Sequence, residues 1–210
     1  MIRILIADDH NIVRQGLATI LEKSHKMKIV ASCTNGTDAL NWLRNNNCDV
    51  ALIDVSMPGM NGIDLLKLLR KEKPKLPVLI LSSYPEDQYA VRLIKAGAAG
   101  YLNKECAPDE VVGAVHTVLD GKKYISPTVA ELLAKEVGIP DGKFPHETLS
   151  NREYQILLLL ASGKTVGEIA VILKLSAKTI STYRSRILEK MHLSNNAELM
   201  RYAVDKQLMQ

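Results

Sequence analysis

The sequence predicts an α/β protein, in which a doubly wound parallel sheet of five strands precedes a smaller all-α domain. Five short segments rich in Ile, Val and Leu alternate, within residues 1–120, with five segments whose apolar residues recur every three or four positions. Segments such as Val50–Ile53 do not alternate polar with apolar residues. This pattern is typical of parallel strands covered by helices on both faces. Residues 149–210 contain no strand pattern and predict four short helices.

The strands and helices of the first part are predicted in strict alternation. Strands are expected at Ile2–Ala7, Ile29–Cys33, Asp49–Ile53, Val78–Ser82 and Gly100–Asn103. Helices are expected at Ile12–Lys23, Thr37–Asn45, Gly62–Arg70, Asp87–Lys95 and Asp109–Leu119. A sixth helix is expected at Val129–Val137, with Ser126 as its N-cap, Pro127 at its start and Gly138 as its stop.

Turn residues then predict a hinge-like linker. Pro140, Asp141-Gly142 and Pro145 lie within residues 139–148. The predicted domains are therefore residues 1–120, a linker with a short helix at 121–147, and residues 148–210. Ser150-Asn151-Arg152-Glu153 and Thr165-Val166-Gly167-Glu168 both have the capping-box pattern that opens a helix.

Charge is distributed unevenly along the 210 residues. Residues 1–120 hold 14 basic and 14 acidic residues, and residues 121–147 hold four of each, whereas residues 148–210 hold nine basic and five acidic residues. The whole net charge of +4 therefore belongs to the last part. A compact basic domain suggests a polyanionic partner, and a solvated basic face is the alternative interpretation.

Composition favours a cytoplasmic protein. The longest apolar run, Ile156–Ala161, has six residues, which is far too short to cross a bilayer, so no membrane partner is expected. Cys33, Cys48 and Cys106 are an odd number without metal-ligand spacing, and we expect free thiols in a reducing compartment.

Five polar side chains are expected at the carboxyl ends of the predicted strands, where ligands bind in such sheets. Asp8 and Asp9 follow the first strand, Asp54 the third, Ser82 ends the fourth, and Lys104 follows the fifth. Packing carboxylates together is costly unless a cation neutralises them or one of them is protonated, and Mg²⁺ prefers a few carboxylates plus water. With a hydroxyl and an amine, the set predicts a phosphoryl-handling site. Taken singly, each residue has an ordinary alternative: a helix cap, a turn residue or a surface lysine.

Residues 1–120 resemble the receiver domain of two-component response regulators. The resemblance rests on four stretches: residues 4–10 (ILIADDH), residues 54–62 (DVSMPGMNG), Leu81-Ser82-Ser83 and residues 96–104 (AGAAGYLNK). It implies a flavodoxin-like sheet of order 2-1-3-4-5. Ser82 stands where Thr is commoner in the family, and Glu105 replaces the proline that usually follows the lysine.

The resemblance implies a role for each residue of this site. Asp54 would accept the phosphoryl group, so the chain would be a phosphoacceptor that takes part in its own phosphorylation and dephosphorylation rather than an enzyme. Mg²⁺ would bind Asp9, Asp54 and the Ser56 backbone carbonyl, with Asp8 acting through a water. Lys104 would contact the phosphoryl group. Ser82 and Tyr101 would form a switch pair, in which Tyr101 moves inward when Ser82 binds the phosphoryl group.

The last domain has the length and spacing of a helix-turn-helix. One helix spans Thr165–Leu173, and Ser176 caps a second at Ala177–Met191. Ile180, Ile187 and Met191 recur on one face of the second helix, and the opposite face carries small hydroxyls and a lysine, which suit reading of a major groove. A solvated amphipathic helix is the alternative from pattern alone.

Residues 148–210 resemble the LuxR-type DNA-binding domain. The matching stretches are residues 149–153 (LSNRE), Ser162-Gly163-Lys164, Glu168-Ile169-Ala170, residues 176–180 (SAKTI) and residues 183–187 (YRSRI). By position, the base contacts would be Ser181, Thr182 and Ser185, and the phosphate contacts Lys178, Arg184, Arg186, Lys164 and Lys190. Tyr183 stands where the family often has His.

Together the two resemblances indicate a NarL/FixJ-type response regulator. The helix-turn-helix motif at residues 178–184 (KTISTYR) resembles the GacA/UvrY and BvgA types. They imply a sensor histidine kinase, double-stranded DNA, a second copy of the chain and RNA polymerase as partners, with residues 198–204 contributing to pairing of the DNA-binding domains. Two rivals stay open. One is a Mg²⁺-dependent aspartyl-phosphate phosphatase, which would need a general acid at position 56, where Ser56 stands. The other is a regulator whose first domain works without phosphorylation.

Overall fold

The chain forms two compact units, Met1–Gly138 and Ile139–Gln210. The structure is a computed structural model that describes residues 1–24, 26–84, 86–106, 108–137, 144–206 and 208. The predicted helix stop at Gly138 and the linker residues Pro140 and Asp141-Gly142 lie outside the described residues.

The first unit is built on a five-stranded parallel sheet of order β2-β1-β3-β4-β5, as predicted. The strands are β1 Ile2–Ala7, β2 Met27–Cys33, β3 Val50–Asp54, β4 Val78–Ser82 and β5 Gly100–Asn103. Asp54 is the last residue of β3 and pairs with Leu81, whereas the sequence analysis places it just after the strand. Every residue of β3 and β4 is buried, which confirms that both faces are covered.

In the described part of the first unit, six helices accompany the strands. They are α1 Asn11–Glu22, α2 Gly36–Asn45, α3 Gly62–Glu72, α4 Glu86–Lys95, α5 Pro108–Leu119 and α6 Pro127–Val137. One core forms where α1 and α5 cover β1 and β3, with Leu21, Ala114 and Ile4 fully buried. Burying one such leucine or isoleucine contributes about 1.5–3 kcal/mol. The covered sheet holds the strand ends in fixed positions.

Helix α6 packs against α4 and belongs to the first unit, whereas the sequence analysis places it in the linker. The segment before it follows the edge of the sheet, where Tyr124 forms a parallel bridge with Gly100. Only glycine fits at position 100, because a Cβ there would lie 2.8 Å from Tyr124 Cβ and 2.7 Å from Leu79 Cδ2. Ser126 caps the helix by accepting a hydrogen bond from Val129 N, as predicted.

Within residues 144–206, the second unit contains a short 3-10 helix, Pro145–Thr148, and four α-helices, which agrees with the number predicted. These are α7 Asn151–Ala161, α8 Val166–Ile172, α9 Ala177–Met191 and α10 Asn196–Asp205. Both predicted capping boxes are present, at Ser150 and Thr165. Buried apolar side chains from α7, α8, α9 and α10 meet in the core, among them Ile156, Ile169, Ile187 and Leu199.

Cys33, Cys48 and Cys106 are free thiols, as predicted. Among the described residues, none of the helices combines the length and the apolar character that crossing a membrane requires.

Candidate functional site

The carboxyl edge of the sheet brings together the acidic residues that the sequence predicts. Asp8 is fully buried and Asp54 is 1% exposed, while the Asp9 side chain is 7% exposed. Backbone hydrogen bonds fix the segments that carry them: Asp8 N donates to Cys33 O, and Val55 N donates to Leu81 O. Gly62 N donates to Val55 O, and a Cβ at position 62 would lie 2.0 Å from Asp54 O. Close backbone approach therefore positions the nucleophile candidate.

Lys104 bridges two of these carboxylates. Its Nζ lies 2.7 Å from Asp8 Oδ2 and 3.0 Å from Asp54 Oδ2, and its side chain is only 10% exposed. Lys104 N donates to Ser82 O, which fixes the start of the loop after β5. Glu105 stands where the family usually has proline, and the contacts of Lys104 are present with this residue in place. Glu105 N donates to Asn103 Oδ1.

Several neighbours set the electrostatics of Asp54. Burial raises the pKa of its carboxyl group, the Lys104 ammonium lowers it, and the Asp8 carboxylate raises it again, with a net shift upward from the ordinary value. The backbone of Ser56 lowers the pKa through a hydrogen bond. The ionised form of Asp54 is thus held in an unfavourable environment, which a cation would relieve.

The donor set fits a divalent cation. One ligand atom each from Asp8, Asp9, His10 and Asp54 can be chosen so that all four lie within 4.8 Å of one another. Apart from the Lys104 ammonium, the buried oxygens Asp8 Oδ2 and Asp54 Oδ2 accept no hydrogen bond. Hard carboxylate oxygens with unused lone pairs suit Mg²⁺. The pocket is an acidic site typical of divalent metal binding.

The two residues predicted as a switch pair both contact Tyr84. Ser82 Oγ accepts a hydrogen bond from Tyr84 N at 3.0 Å, and Tyr101 Oη donates to Tyr84 O at 2.7 Å. Tyr101 is only 1% exposed, so its ring already lies inside, whereas the sequence analysis expects it to move inward on phosphorylation. Tyr84, which the sequence analysis does not single out, links the pair through its backbone.

Two further residues lie beside the pocket and are not among the site residues predicted from the sequence. Arg14 Nη1 donates to Asp8 O, which ties α1 to the loop after β1. His10 lies with its ring against Asp8 and Asp9. The adjacency of His10 to the two aspartates is a visible signal in the sequence, whereas nothing in the sequence indicates the contact of Arg14.

The second unit presents a helix-turn-helix, in which α8 and α9 are joined by a turn with Lys174 in the left-handed region, at φ 52°. Ser176 caps α9, and Ile180, Ile187 and Met191 are buried on one face, all as predicted. The side chains assigned to base contacts are exposed: Ser181, Thr182 and Ser185. Thr182 and Ser185 donate to backbone oxygens one turn back, those of Lys178 and Ser181.

The basic residues assigned to phosphate contacts fall into two groups. Lys164, Lys178 and Arg186 are exposed. Lys178 and Arg186 line a hollow of about 310 Å³ with Thr182 and Tyr183.

The second group, Arg184 and Lys190, makes contacts with other residues of the second unit. Arg184 Nε donates to Asn196 Oδ1 at 2.6 Å, which ties α9 to α10. Lys190 Nζ lies 2.7 Å from Glu153 Oε2, which ties α9 to α7. Both side chains therefore have a structural partner that the sequence pattern does not reveal.

Comparison with known proteins identifies both units. Residues 4–116 match the response regulator receiver domain family, and residues 147–203 match the luxR family of bacterial regulatory proteins. The response regulator UvrY of Escherichia coli K12 is 37% identical over 205 residues, which covers 97% of this chain and 94% of that protein. The chain belongs to the NarL/FixJ family of response regulators.

A second named relative, also a response regulator, is similar to this chain over nearly its whole length. GacA of Pseudomonas aeruginosa is 38% identical over 205 residues, covering 97% of this chain and 96% of that protein. The GacA/UvrY likeness that the sequence analysis draws from the helix-turn-helix is thereby confirmed.

Solved structures resemble this response regulator over nearly its full length. RcsB of Salmonella enterica serovar Typhimurium, bound to the rprA promoter in the presence of the phosphomimetic BeF₃⁻, has a TM-score of 0.64 at 28% identity and covers 96% of this chain and 97% of that one. ChrA, from a heme-sensing two-component system, has a TM-score of 0.53 at 31% identity, covering 99% and 98%.

Proposed function

We propose that Asp54 accepts a phosphoryl group from the phosphohistidine of a sensor histidine kinase, and that the phosphorylated chain binds specific double-stranded DNA as a homodimer to regulate transcription. The burial of Asp54 beside the Lys104 ammonium, which also contacts the Asp8 carboxylate, carries this proposal. The presence of a receiver domain and a luxR-family domain in one chain supports it, because the first implies a kinase and the second implies DNA.

In the proposed reaction, a carboxylate oxygen of Asp54 attacks the phosphorus of the kinase phosphohistidine. The new O–P bond forms as the N–P bond breaks, and the histidine ring of the kinase leaves. Lys104 stabilises negative charge on the transferring oxygens, since its ammonium already lies 3.0 Å from Asp54 Oδ2. The same pocket takes part in later hydrolysis of the aspartyl phosphate, so the chain acts as a phosphoacceptor rather than an enzyme for other substrates.

The cation of this site would be Mg²⁺, held by Asp9, Asp54 and the Ser56 backbone carbonyl, with Asp8 acting through a water. When bound, it supplies positive charge that offsets the charge of the phosphoryl oxygens. The buried oxygens of Asp8 and Asp54 support this assignment.

The proposed signal passes through the β4–α4 loop. Ser82 Oγ accepts a hydrogen bond from Tyr84 N, and Tyr101 Oη donates one to Tyr84 O. A phosphoryl group on Asp54 would add about −1.5 to −2 charge units and would compete for the Ser82 hydroxyl. Because Tyr101 is already inside, we propose that the loop around Tyr84 changes rather than the tyrosine ring moving inward.

For DNA binding, we propose that Ser181, Thr182 and Ser185 contact base edges, and that Lys164, Lys178 and Arg186 contact phosphates. Arg184 and Lys190 complete the phosphate set, each already held in place by one internal hydrogen bond. Helix α10 contributes to pairing of the DNA-binding units, since Met200 is 39% and Val204 66% exposed. RNA polymerase is a further proposed partner, and the cytoplasm, where DNA and polymerase occur, is the proposed location.

The phosphorylation is tested by incubating the full chain with Mg²⁺ and acetyl phosphate and measuring its intact mass. We expect the native chain to gain the mass of one phosphoryl group, and Asp54→Asn to gain none. Asp120→Asn, at an exposed position, is the matched control and should behave as the native chain. An equal gain in Asp54→Asn would overturn the assignment and favour a receiver that works without phosphorylation of this residue.

A further inference from the structure

One hydroxyl group in the first unit joins two helices. Ser126 Oγ donates a hydrogen bond to Glu86 Oε2 at 2.6 Å and accepts one from Val129 N at 3.2 Å. Glu86 is the first residue of α4, and Ser126 directly precedes α6 as its N-cap. A serine hydroxyl has one proton and two lone pairs, so it can make both bonds at once. The first turn of α6 is therefore tied to the first turn of α4.

The same turn of α4 lies next to the loop that is proposed to respond to the phosphoryl group. Tyr84, whose backbone contacts both Ser82 and Tyr101, is two residues before Glu86 in the chain. The Tyr84 ring packs against that of Tyr89 in α4, with the ring centroids 5.0 Å apart, and Tyr89 is 2% exposed. A change in the backbone around Tyr84 should therefore displace Glu86.

Other contacts fix the segment before α6 to parts of the first unit that lie outside this loop. Lys123 Nζ donates to Ile94 O, near the end of α4, and Tyr124 N donates to Ala99 O, just before β5. These contacts would keep the segment in place when the first turn of α4 moves. The movement would therefore stretch the hydrogen bond between the two helix starts.

We propose that the hydrogen bond between Ser126 and Glu86 couples the phosphorylation site to α6: it forms in the unphosphorylated chain and breaks when the phosphoryl group changes the loop around Tyr84. The inference rests on the proposed function and identifies how the change in that loop reaches α6. Once Glu86 is displaced, Ser126 keeps only the bond to Val129 N, and the first turn of α6 opens more often. Release of α6 from α4 would lengthen the connection to the second unit, which follows α6 in the chain.

The test is hydrogen–deuterium exchange of the full chain, followed by mass spectrometry of the backbone amides of residues 129–134. Samples with and without saturating acetyl phosphate and Mg²⁺ are compared, and the intact mass of each sample measures its phosphorylation. We expect these amides to exchange about tenfold faster in the phosphorylated native chain, which is the effect of losing one hydrogen bond to a charged group. Glu86→Ala should exchange at the faster rate in both conditions.

Substitutions at both ends of the hydrogen bond separate its effect from that of the helix cap. Ser126→Asp keeps a favoured N-cap residue but places a second carboxylate against Glu86, so α6 should exchange fast even without the donor. When Ser126→Asp is combined with Glu86→Gln, the glutamine amide can donate to the aspartate and restore the bond with donor and acceptor exchanged. This double variant should recover slow exchange and the response to acetyl phosphate. Glu189→Ala, at an exposed position of the second unit, is the matched control and should behave as the native chain.

Three outcomes overturn the inference: unchanged exchange in a native chain that has gained the phosphoryl mass, native exchange and response in Glu86→Ala, or a double variant that stays fast. The first would mean that the bond is only structural, and the other two that a different contact holds α6. Failure of the proposed function is recognised separately, because it appears as absence of phosphoryl mass gain in the native chain. Glu86→Ala and Ser126→Asp should both still gain that mass, since neither residue belongs to the acidic pocket.

Discussion

At the scale of single residues, Asp54 is expected to cost stability. Burial raises the pKa of its carboxyl group, so ionising it is less favourable in the folded chain than in the unfolded one. The cost is absent below the unfolded pKa of about 4 and grows as pH rises from there toward the folded pKa. Residues that are retained for function commonly lower the stability of the folded chain in this way.

Asp54→Asn should therefore raise the free energy of unfolding of the first unit at neutral pH, by about 0.5–2 kcal/mol. The gain should shrink as pH falls toward about 4, where both states of the native carboxyl become protonated. Urea unfolding followed by Trp42 fluorescence measures it, since the single tryptophan lies in α2. A destabilised Asp54→Asn would mean that the Lys104 ion pair outweighs burial.

Gly62 is required by a close backbone approach. A Cβ at this position would lie 2.0 Å from Asp54 O and 2.9 Å from Ile53 Cγ2. Gly62→Ala should lower the free energy of unfolding by about 1–3 kcal/mol and slow the phosphoryl mass gain, because Asp54 must shift. Gly16→Ala is the control: a Cβ there meets nothing within 4 Å, and the helix should gain about 0.5–1 kcal/mol. Equal changes in the free energy of unfolding for Gly62→Ala and Gly16→Ala would contradict the requirement for glycine at position 62.

At the scale of elements, the ion pair between Lys190 and Glu153 joins α9 to α7 in the helix-turn-helix unit. Burial acts to raise the pKa of Glu153, but hydrogen bonds from Lys190 and Ser150 outweigh it and lower the pKa. A lowered folded pKa contributes stability above the unfolded pKa of about 4.3 and loses it as pH falls through the folded value.

Lys190→Met should cost the second unit about 1 kcal/mol at pH 7 and should make its stability less dependent on pH below about 4.5. Urea unfolding of the full chain by far-UV circular dichroism measures this, with Trp42 fluorescence reporting the first unit separately. Arg201→Met, which removes the largely exposed ion pair with Asp205 at 3.8 Å, is the control and should change little. An unchanged pH slope in Lys190→Met would show that Ser150 alone holds the Glu153 pKa.

The same elements show what a sequence can predict. Apolar runs and cap residues predict the strands and the helices, and therefore the carboxyl edge of the sheet. The sequence could thus place four residues together at that edge: Asp8, Asp9, Asp54 and Lys104. Contacts between residues far apart in the chain carry no such pattern. Arg184 to Asn196 and Lys190 to Glu153 depend on how helices pack, and the burial of Tyr101 depends on the loop around Tyr84.

At the scale of the whole molecule, the basic charge of the second unit should act through phosphate contacts. Lys178→Ala should weaken binding to all DNA sequences and reduce the slope of log K against log salt by about one. Lys67→Ala, an exposed lysine of α3, is the control. Fluorescence anisotropy over a range of salt concentrations measures both, and a loss confined to one DNA sequence would contradict the phosphate assignment.

We propose that phosphorylation of Asp54 controls specific DNA binding. The direct measurement is selection of fragmented genomic DNA by the full chain, with and without Mg²⁺ and acetyl phosphate, followed by sequencing of the bound fragments. We predict that a symmetric motif is enriched only with the donor, and that Asp54→Asn enriches none in either condition. Equal enrichment with and without the donor would contradict the claim, because the acidic pocket would then not control DNA binding.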